Sequence, residues 1–227
     1  MDNQDRDRFI LSKGHSCIAQ YAVMAKRGCF PLSELATFDA IDSRLQAHPD
    51  MTKLPWLDMS SGSLGQGLSV GIGMALAARL RDKAHTTYVM LGDGEVQEGQ
   101  VWEAAFVASR YELGNLDAIV DLNKLQQYGW RKQGAILPPV ESPDAQWESF
   151  GWRVWDVDGH DVEAFVAAVL EAKEASGQPS VVIAHTVKGK GGSFMEHDFS
   201  WHARVPTDDE LAKALAELGL ENTETVQ

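Results

Sequence analysis

Apolar runs of strand length alternate with stretches of helical periodicity along most of this chain. Thr87-Tyr88-Val89-Met90-Leu91 and Ala118-Ile119-Val120 are β-branched, aromatic or aliphatic, and turn residues close each of them. That is the pattern of a short buried strand. Between them Val101, Ala104, Ala105, Ala108 and Leu113 recur at helical spacing, so the segment reads as strand–helix–strand with parallel strands. The same reading places strands at 86–91, 117–121, 153–157 and 180–185, with helices at about 99–112 and 161–175 alternating with them. Upstream, Ser16 is placed to cap a helix running to about Arg27, and Pro31 to open a short helix through Phe38. Residues 39–60 look irregular, and Leu64 to Arg81 is Gly- and Ala-rich with apolar residues on more than one side. Such a helix is buried, and its small residues permit close packing. Residues 126–150 make a longer connection, partly helical from Ala145 to Phe150, whose length suits a functional or interface loop. The pattern predicts an α/β fold, a parallel sheet with helices on both faces. One domain spans 1–227, and an acidic helix and tail occupy 204–227.

Composition narrows the function more than the fold. With 227 residues and 44% hydrophobic content, the chain can bury a sizeable core. A net charge of −13 argues against a nucleic-acid partner, because phosphate backbones are bound by clustered Lys and Arg. No apolar run is long enough to span a bilayer and the amino terminus is charged, so neither a membrane span nor a secretory signal is expected. Only Cys17 and Cys29 are present, without metal-ligand spacing. Free thiols in a reducing cytoplasm are the default reading, with a bridge between them as the alternative.

The chemistry gathers at the ends of two predicted strands. Gly92-Asp93-Gly94 follows the first, and Asp121-Leu122-Asn123 closes the second about thirty residues later. In open α/β sheets ligands bind outside the carboxyl ends of the strands. The Asp93 carboxylate and the Asn123 amide oxygen are hard donors of the kind magnesium prefers, and magnesium completes its octahedron with ligand phosphates and water. Gly94 removes a side chain where a diphosphate must approach the backbone, and the following helix turns its N–H groups toward that anion. A lone βα turn in which Asp93 only caps a helix is the bland alternative; the second cluster weighs against it.

Gly92-Asp93-Gly94 followed by Asn123 resembles the thiamine diphosphate motif, and the wider chain is similar to the amino-terminal, diphosphate-binding half of transketolases. Ser12-Lys13-Gly14-His15, Ala47-His48-Pro49, Gly62-Ser63-Leu64-Gly65-Gln66-Gly67, Val157-Asp158-Gly159-His160-Asp161, Lys188-Gly189-Lys190-Gly191 and Trp201-His202 resemble that family's signatures in its order. The resemblance implies a thiamine-diphosphate-binding fold and a two-carbon ketol transfer from a ketose (phosphate) to an aldose or other acceptor, with the cofactor as electron sink. It implies a metal site of Asp93, Asn123 and the Leu125 carbonyl for Mg2+, or Ca2+ or Mn2+ in its place. His15 would contact the diphosphate, His48 the substrate hydroxyls, and His202 both cofactor and substrate; imidazole suits proton movement near neutrality. The Gly62 carbonyl and the Leu64 N–H would contact the aminopyrimidine ring, and Lys188 would lie near the cofactor. Glu98 and Glu103 match an acidic pair at the interface between two active sites, although acidic residues at a helix start are favourable anyway.

The resemblance also implies what lies elsewhere. The family's segment before the Lys-Gly-His motif, with a further histidine, and its pyrimidine-binding domain have no counterpart here. The expectation is a split transketolase whose separate carboxyl-terminal, pyrimidine-domain subunit joins this one in an α2β2 tetramer. Trp56, Trp102, Trp130 and Trp147 are candidates for burial at that interface, with the core as the commoner fate of such residues. Ser63 stands where the family usually has Pro, which matters little for backbone contacts. Ala203 stands where Gly usually follows the histidine, which puts the ordinary sugar phosphate in question. Two other functions remain open at this point. One is a 2-oxoacid dehydrogenase first-component α-subunit, which shares the clamp; the other is an inactive paralog that binds cofactor or partner only.

Overall fold

The computed structural model describes residues 5–126, 131–132, 135–136 and 142–220. Five strands form one parallel sheet: β1 (Arg8–Leu11), β2 (Thr87–Gly92), β3 (Leu116–Leu122), β6 (Arg153–Asp158) and β7 (Ser180–His185). Their spatial order is β1-β2-β3-β7-β6. The chain steps outward from β1 to β3, jumps to the far edge at β6, and returns to fill the gap with β7. All four pairings are parallel. Two two-residue strands, β4 (Arg131–Lys132) and β5 (Ala135–Ile136), pair antiparallel in the connection after β3.

Alternation along the strands sends side chains to both faces of the sheet, where they join three hydrophobic clusters. Ile10, Val89, Leu91, Ala118, Val120, Val181 and Ile183 face α2 (Gln66–Leu80), α3 (Gly99–Arg110) and α4 (Pro143–Ser149). On the opposite face Leu11 packs with Cys17 and Tyr21 of α1 (Cys17–Lys26). Val182 packs there with Ala168 and Ala172 of α5 (Val162–Glu174). The small residues of α2 permit its close approach to the sheet, since a Cβ on Gly71 would stand 2.6 Å from Val89 Cγ2. The acidic carboxyl-terminal segment forms α6 (Asp208–Glu217), opened by a reciprocal Thr207–Glu210 capping box. Among the described residues no helix is long and apolar enough to cross a membrane.

The helices on both faces and the four strands at 86–91, 117–121, 153–157 and 180–185 match the pattern read from the sequence, within a residue or two at their ends. Four expectations need correction. β1 is absent from that pattern: four residues at a sheet edge give too short an alternation to register. The segment from Pro31 to Phe38 is a 3-10 helix over Leu32–Thr37. Ser16 does not cap α1 with its side chain; its hydroxyl donates to the Lys13 carbonyl at 2.9 Å. Trp147 belongs to the core: it is fully buried, with ring centroids 5.1 Å from Trp102 and, edge-on, 4.8 Å from Trp152, while Trp102 and Trp56, the latter packed on Phe30 at 6.3 Å, are half-buried. Trp130 lies outside the described residues. Cys17 and Cys29 are not joined in a disulfide.

One buried charge lies away from the strand ends. Asp117, near the start of β3, is 1% exposed and neither of its carboxyl oxygens has a hydrogen-bond partner. Burial pushes it up to about 7; Lys173 on α5 pulls it back and Asp7 adds to the rise. Its folded value lies above the unfolded one, so the folded state binds the extra proton between about pH 4 and 7, and stability falls as pH rises through that window. Asp117→Asn removes this dependence. The variant's gain over the parent should grow from near zero at pH 4 to on the order of 4 kcal/mol at pH 8, read by chemical denaturation. A gap that stays constant with pH would show that Asp117 is not the group responsible.

Candidate functional site

The carboxyl ends of β1, β2, β3 and β7 open onto a cavity of about 980 Å³. Each strand delivers polar residues as it ends: Lys13 after β1, Asp93 after β2, Asn123 after β3, Thr186 and Lys188 after β7.

Asp93 is 2% exposed. Its carboxylate accepts from Gly94 N at 2.8 Å and from Lys124 N at 2.5 Å, so the turn after β2 is tied to the residue that follows Asn123. Burial nonetheless pushes the Asp93 carboxyl up to about 6. Asn123 Oδ1 accepts from Leu125 N at 3.0 Å, which leaves it a second lone pair. The Asn123 side chain also hydrogen-bonds Asp121, whose oxygens take Lys13 Nζ and the Thr186 hydroxyl as well. Burial pushes Asp121 up, but the Lys13 charge and these hydrogen bonds hold it below the usual carboxylate range. The Lys13 cation is therefore committed to Asp121, and Asp93 is a desolvated carboxylate held by backbone N–H groups. Such a group is stabilised by an added cation. Among the described residues no three His, Cys, Asp or Glu side chains converge as a metal cluster. The donor set expected from the sequence needs only one carboxylate, an amide oxygen and a carbonyl, and Asp93, Asn123 and Leu125 all line this cavity. These donors fit a small divalent cation that takes its remaining oxygens from a ligand.

The other expected site residues distribute as follows. His15 sits in the 3-10 turn Gly14–Ser16 and His202 in the turn Phe199–His202; their rings meet at 5.1 Å on the cavity wall. Burial, then the neighbouring His202, Lys13 and Lys188, lowers His15 to about 4, so it is neutral at physiological pH. Burial and Lys188 lower His202 as well. Lys188 is half-buried on the cavity wall, and burial lowers it against the pull of Asp121 and Asp93. Gly62, Leu64, Gly94 and Glu98 also line the cavity. His48 is exposed and is not part of the cavity lining; it stands beside Gly62, where a Cβ would come 3.3 Å from its ring. Glu103 lies apart on the exposed side of α3 and does not reach the cavity.

Several residues of the site carry no assignment from sequence. Lys13 and Asp121 stand inside quoted motifs, but their pairing across 108 positions is visible only once β1 and β3 are folded. Glu95 carries no signal beyond following the Gly92-Asp93-Gly94 turn. It is 2% exposed and binds three separate segments. Its Oε1 accepts from Ser12 Oγ at 2.5 Å and Gly65 N at 2.7 Å, and its Oε2 from Gly92 N at 3.2 Å. Gly65 itself has φ +79°, a left-handed turn that presents its N–H to this carboxylate, and a Cβ there would stand 2.9 Å from Glu98 Cβ.

The family model described as "Transketolase, thiamine diphosphate binding domain" matches residues 1–227. A 6-deoxy-6-sulfo-D-fructose transketolase subunit from Clostridium sp. (strain MSTE9) is 42% identical over 214 residues, covering 94% of this chain and 77% of the relative. An apulose-4-phosphate transketolase subunit from Actinobacillus succinogenes is 42% identical over 216 residues, covering 95% and 77%. The crystal structure of transketolase from Campylobacter jejuni superposes with a TM-score of 0.85 at 28% identity, covering 95% of this chain and 34% of that one. The chain thus spans about a third of that solved transketolase and about three quarters of the two subunit relatives. A family model matched end to end, and subunit relatives at 42% identity, establish that this chain belongs to the transketolase family and carries its thiamine diphosphate binding domain.

Proposed function

We propose that this chain is the cofactor-binding subunit of a two-subunit transketolase. It would move a two-carbon ketol unit from a ketose (phosphate) to an aldose or other acceptor. The convergence of Asp93 and Asn123 on one cavity with two neutral histidines carries this reading. When bound, thiamine diphosphate supplies an electron sink at the carbonyl carbon of the donor. Asp93, Asn123 and the Leu125 carbonyl would hold Mg2+, or Ca2+ or Mn2+. Lys188 and the N–H of His15 would meet the diphosphate charge. The Gly62 carbonyl and Leu64 N–H would orient the aminopyrimidine ring. His202 and His48 would hold and exchange protons at substrate hydroxyls, since an imidazole ring can serve as hydrogen-bond donor and as proton acceptor.

The naming of the relatives as subunits supports a separate pyrimidine-domain partner, and an α2β2 assembly would place Glu98 and Glu103 between two active sites. The relatives named for 6-deoxy-6-sulfo-D-fructose and apulose-4-phosphate support a donor or acceptor carrying an anionic group. The three histidines favour sugar handling over the 2-oxoacid dehydrogenase chemistry that shares the clamp.

Reconstitution tests the proposal. Mixed with a pyrimidine-domain subunit, magnesium and thiamine diphosphate, the chain is expected to give ketose-dependent aldehyde transfer, read by a coupled assay. Turnover of pyruvate with a dye acceptor, and none with any ketol donor, would replace it with the dehydrogenase reading. Tight cofactor binding with no turnover on either would make the chain an inactive paralog.

A further inference from the structure

Glu95 is buried in the wall of the cavity, yet no role in the clamp described above belongs to it. Its hydrogen bonds join parts of the chain far apart in sequence. Ser12 follows β1 and lies 83 positions away. Gly65 belongs to the loop expected to hold the aminopyrimidine ring and lies 30 positions away. Gly92 opens the turn that carries Asp93. The Ser12 hydroxyl, while donating to Glu95, accepts from Gly67 N at 3.1 Å, which draws the amino-terminal turn of α2 into the same network. Two backbone N–H groups and one hydroxyl therefore converge on a single carboxylate from three segments. Leaving buried donors unpaired is costly, so these three segments hold a common geometry only while an acceptor with two oxygens stands between them.

We propose that Glu95 is a positioning residue for the cofactor site. By fixing Gly65 and Gly92 to the end of β1, its carboxylate sets the separation between the ring-binding loop and the metal-binding turn. The proposal rests on the cofactor reading above. A ligand that spans both segments is bound in one piece, so an error in their spacing is felt as lost affinity even where every contacting group is intact.

Glu95→Gln is the discriminating change. The side chain keeps its size but has one oxygen, so its amide NH2 must face either the Gly65 N–H or the Gly92 N–H, donor to donor. In the cofactor-free chain the expected result is loss of amide hydrogen-exchange protection at Gly65 or Gly92. In the cofactor titration, affinity for thiamine diphosphate with magnesium should fall about 10- to 100-fold, the range seen when groups that orient metal ligands are removed. The magnesium concentration for half-saturation should rise in step. Val101→Ala, a cavity change in the buried face of α3, supplies a variant of lowered melting temperature without touching the network; it should bind within about twofold of the parent. Glu95→Ala is expected to fold poorly, and Ser12→Ala, which removes one donor and leaves two, should give an intermediate loss. Glu95→Gln binding as tightly as the parent despite lost exchange protection overturns the proposal, as does equal weakening by Val101→Ala. Asp93→Ala in the same titration separates the two claims. If it too binds normally, the clamp reading has failed; if it alone fails to bind, only the role of Glu95 has.

Discussion

Asp93→Ala should abolish magnesium-dependent binding of thiamine diphosphate while leaving the domain folded. The expected loss exceeds about 100-fold, since even residues that only orient metal ligands are worth 10- to 100-fold. Asp93 is buried, its hydrogen bonds run to two backbone N–H groups, and it sits well above its ordinary value, at about 6. Holding it ionised at neutral pH costs the ligand-free fold on the order of 3 kcal/mol. Because the folded value is raised, this cost is absent below the unfolded value near pH 4 and complete above about pH 6. A divalent cation reverses the sign by favouring the ionised form. Two measurements follow from one residue. In a thermal-shift titration the parent should gain stability with cofactor plus magnesium, about 2.7 kcal/mol at a hundredfold excess over Kd, and Asp93→Ala should gain none. Without ligand, Asp93→Asn loses the ionisation cost but leaves one of the two backbone N–H groups facing an amide NH2, so its stability relative to the parent should improve as pH rises from about 4 to 6 and then level off. Unchanged cofactor affinity in Asp93→Ala would end the metal-clamp assignment.

The parts of this molecule legible in its sequence are those governed by local pattern. β2, β3 and β7 are continuous apolar runs closed by turn residues, and α3 and α5 carry their periodicity over three turns. Motifs at strand ends follow, because a parallel sheet fixes where its carboxyl ends gather. Asp93, Asn123, His15, Lys188 and His202 can thus be brought to one cavity from the pattern and the family resemblance together. What stays hidden depends on partners distant in the chain. β1 is four residues long and is defined by its pairing to β2. Trp147 has no signal separating core from interface until Trp102 and Trp152 close around it. Glu95 reads as an ordinary acidic residue after a turn, and the worth of its two oxygens comes from Ser12 and Gly65. Glu103 pairs with Glu98 by motif, and the fold separates them, one at the cavity edge and one on the outer side of α3.

Lys13→Met is expected to be among the most damaging single changes at neutral pH, although in the sequence Lys13 is only one letter of a glycine signature. Its side chain is 10% exposed and that of its ion-pair partner Asp121 is 19% exposed. Removing one member of such a pair leaves an uncompensated buried charge, which typically costs about 3–5 kcal/mol, far above the roughly ±0.5 kcal/mol of an ordinary surface change. Asp121 is now held below the usual range, so the stability it contributes is present above its unfolded value and fades as pH falls through its folded one. Without Lys13, burial dominates and Asp121 rises. The variant's deficit should therefore be largest near pH 7 and shrink toward pH 4, where Asp121 takes up a proton instead. Asp121→Asn in the Lys13→Met background should recover much of the loss, giving a coupling energy of about 2 kcal/mol or more in a double-mutant cycle. The pair also bears on the ligand. Lys13 lowers the cost of ionised Asp93 and Asp121 together, and in the cavity lining two lysines, Lys13 and Lys188, stand against four acidic side chains, Asp93, Glu95, Glu98 and Asp121. A bound diphosphate would add negative charge to a lining already short of cations, which favours a divalent cation, rather than these lysines alone, as its counter-charge. A Lys13→Met variant within about 0.5 kcal/mol of the parent at pH 7 would show that Asp121 is adequately stabilised by Thr186 and Asn123 alone, and that the cation at the end of β1 serves some other end.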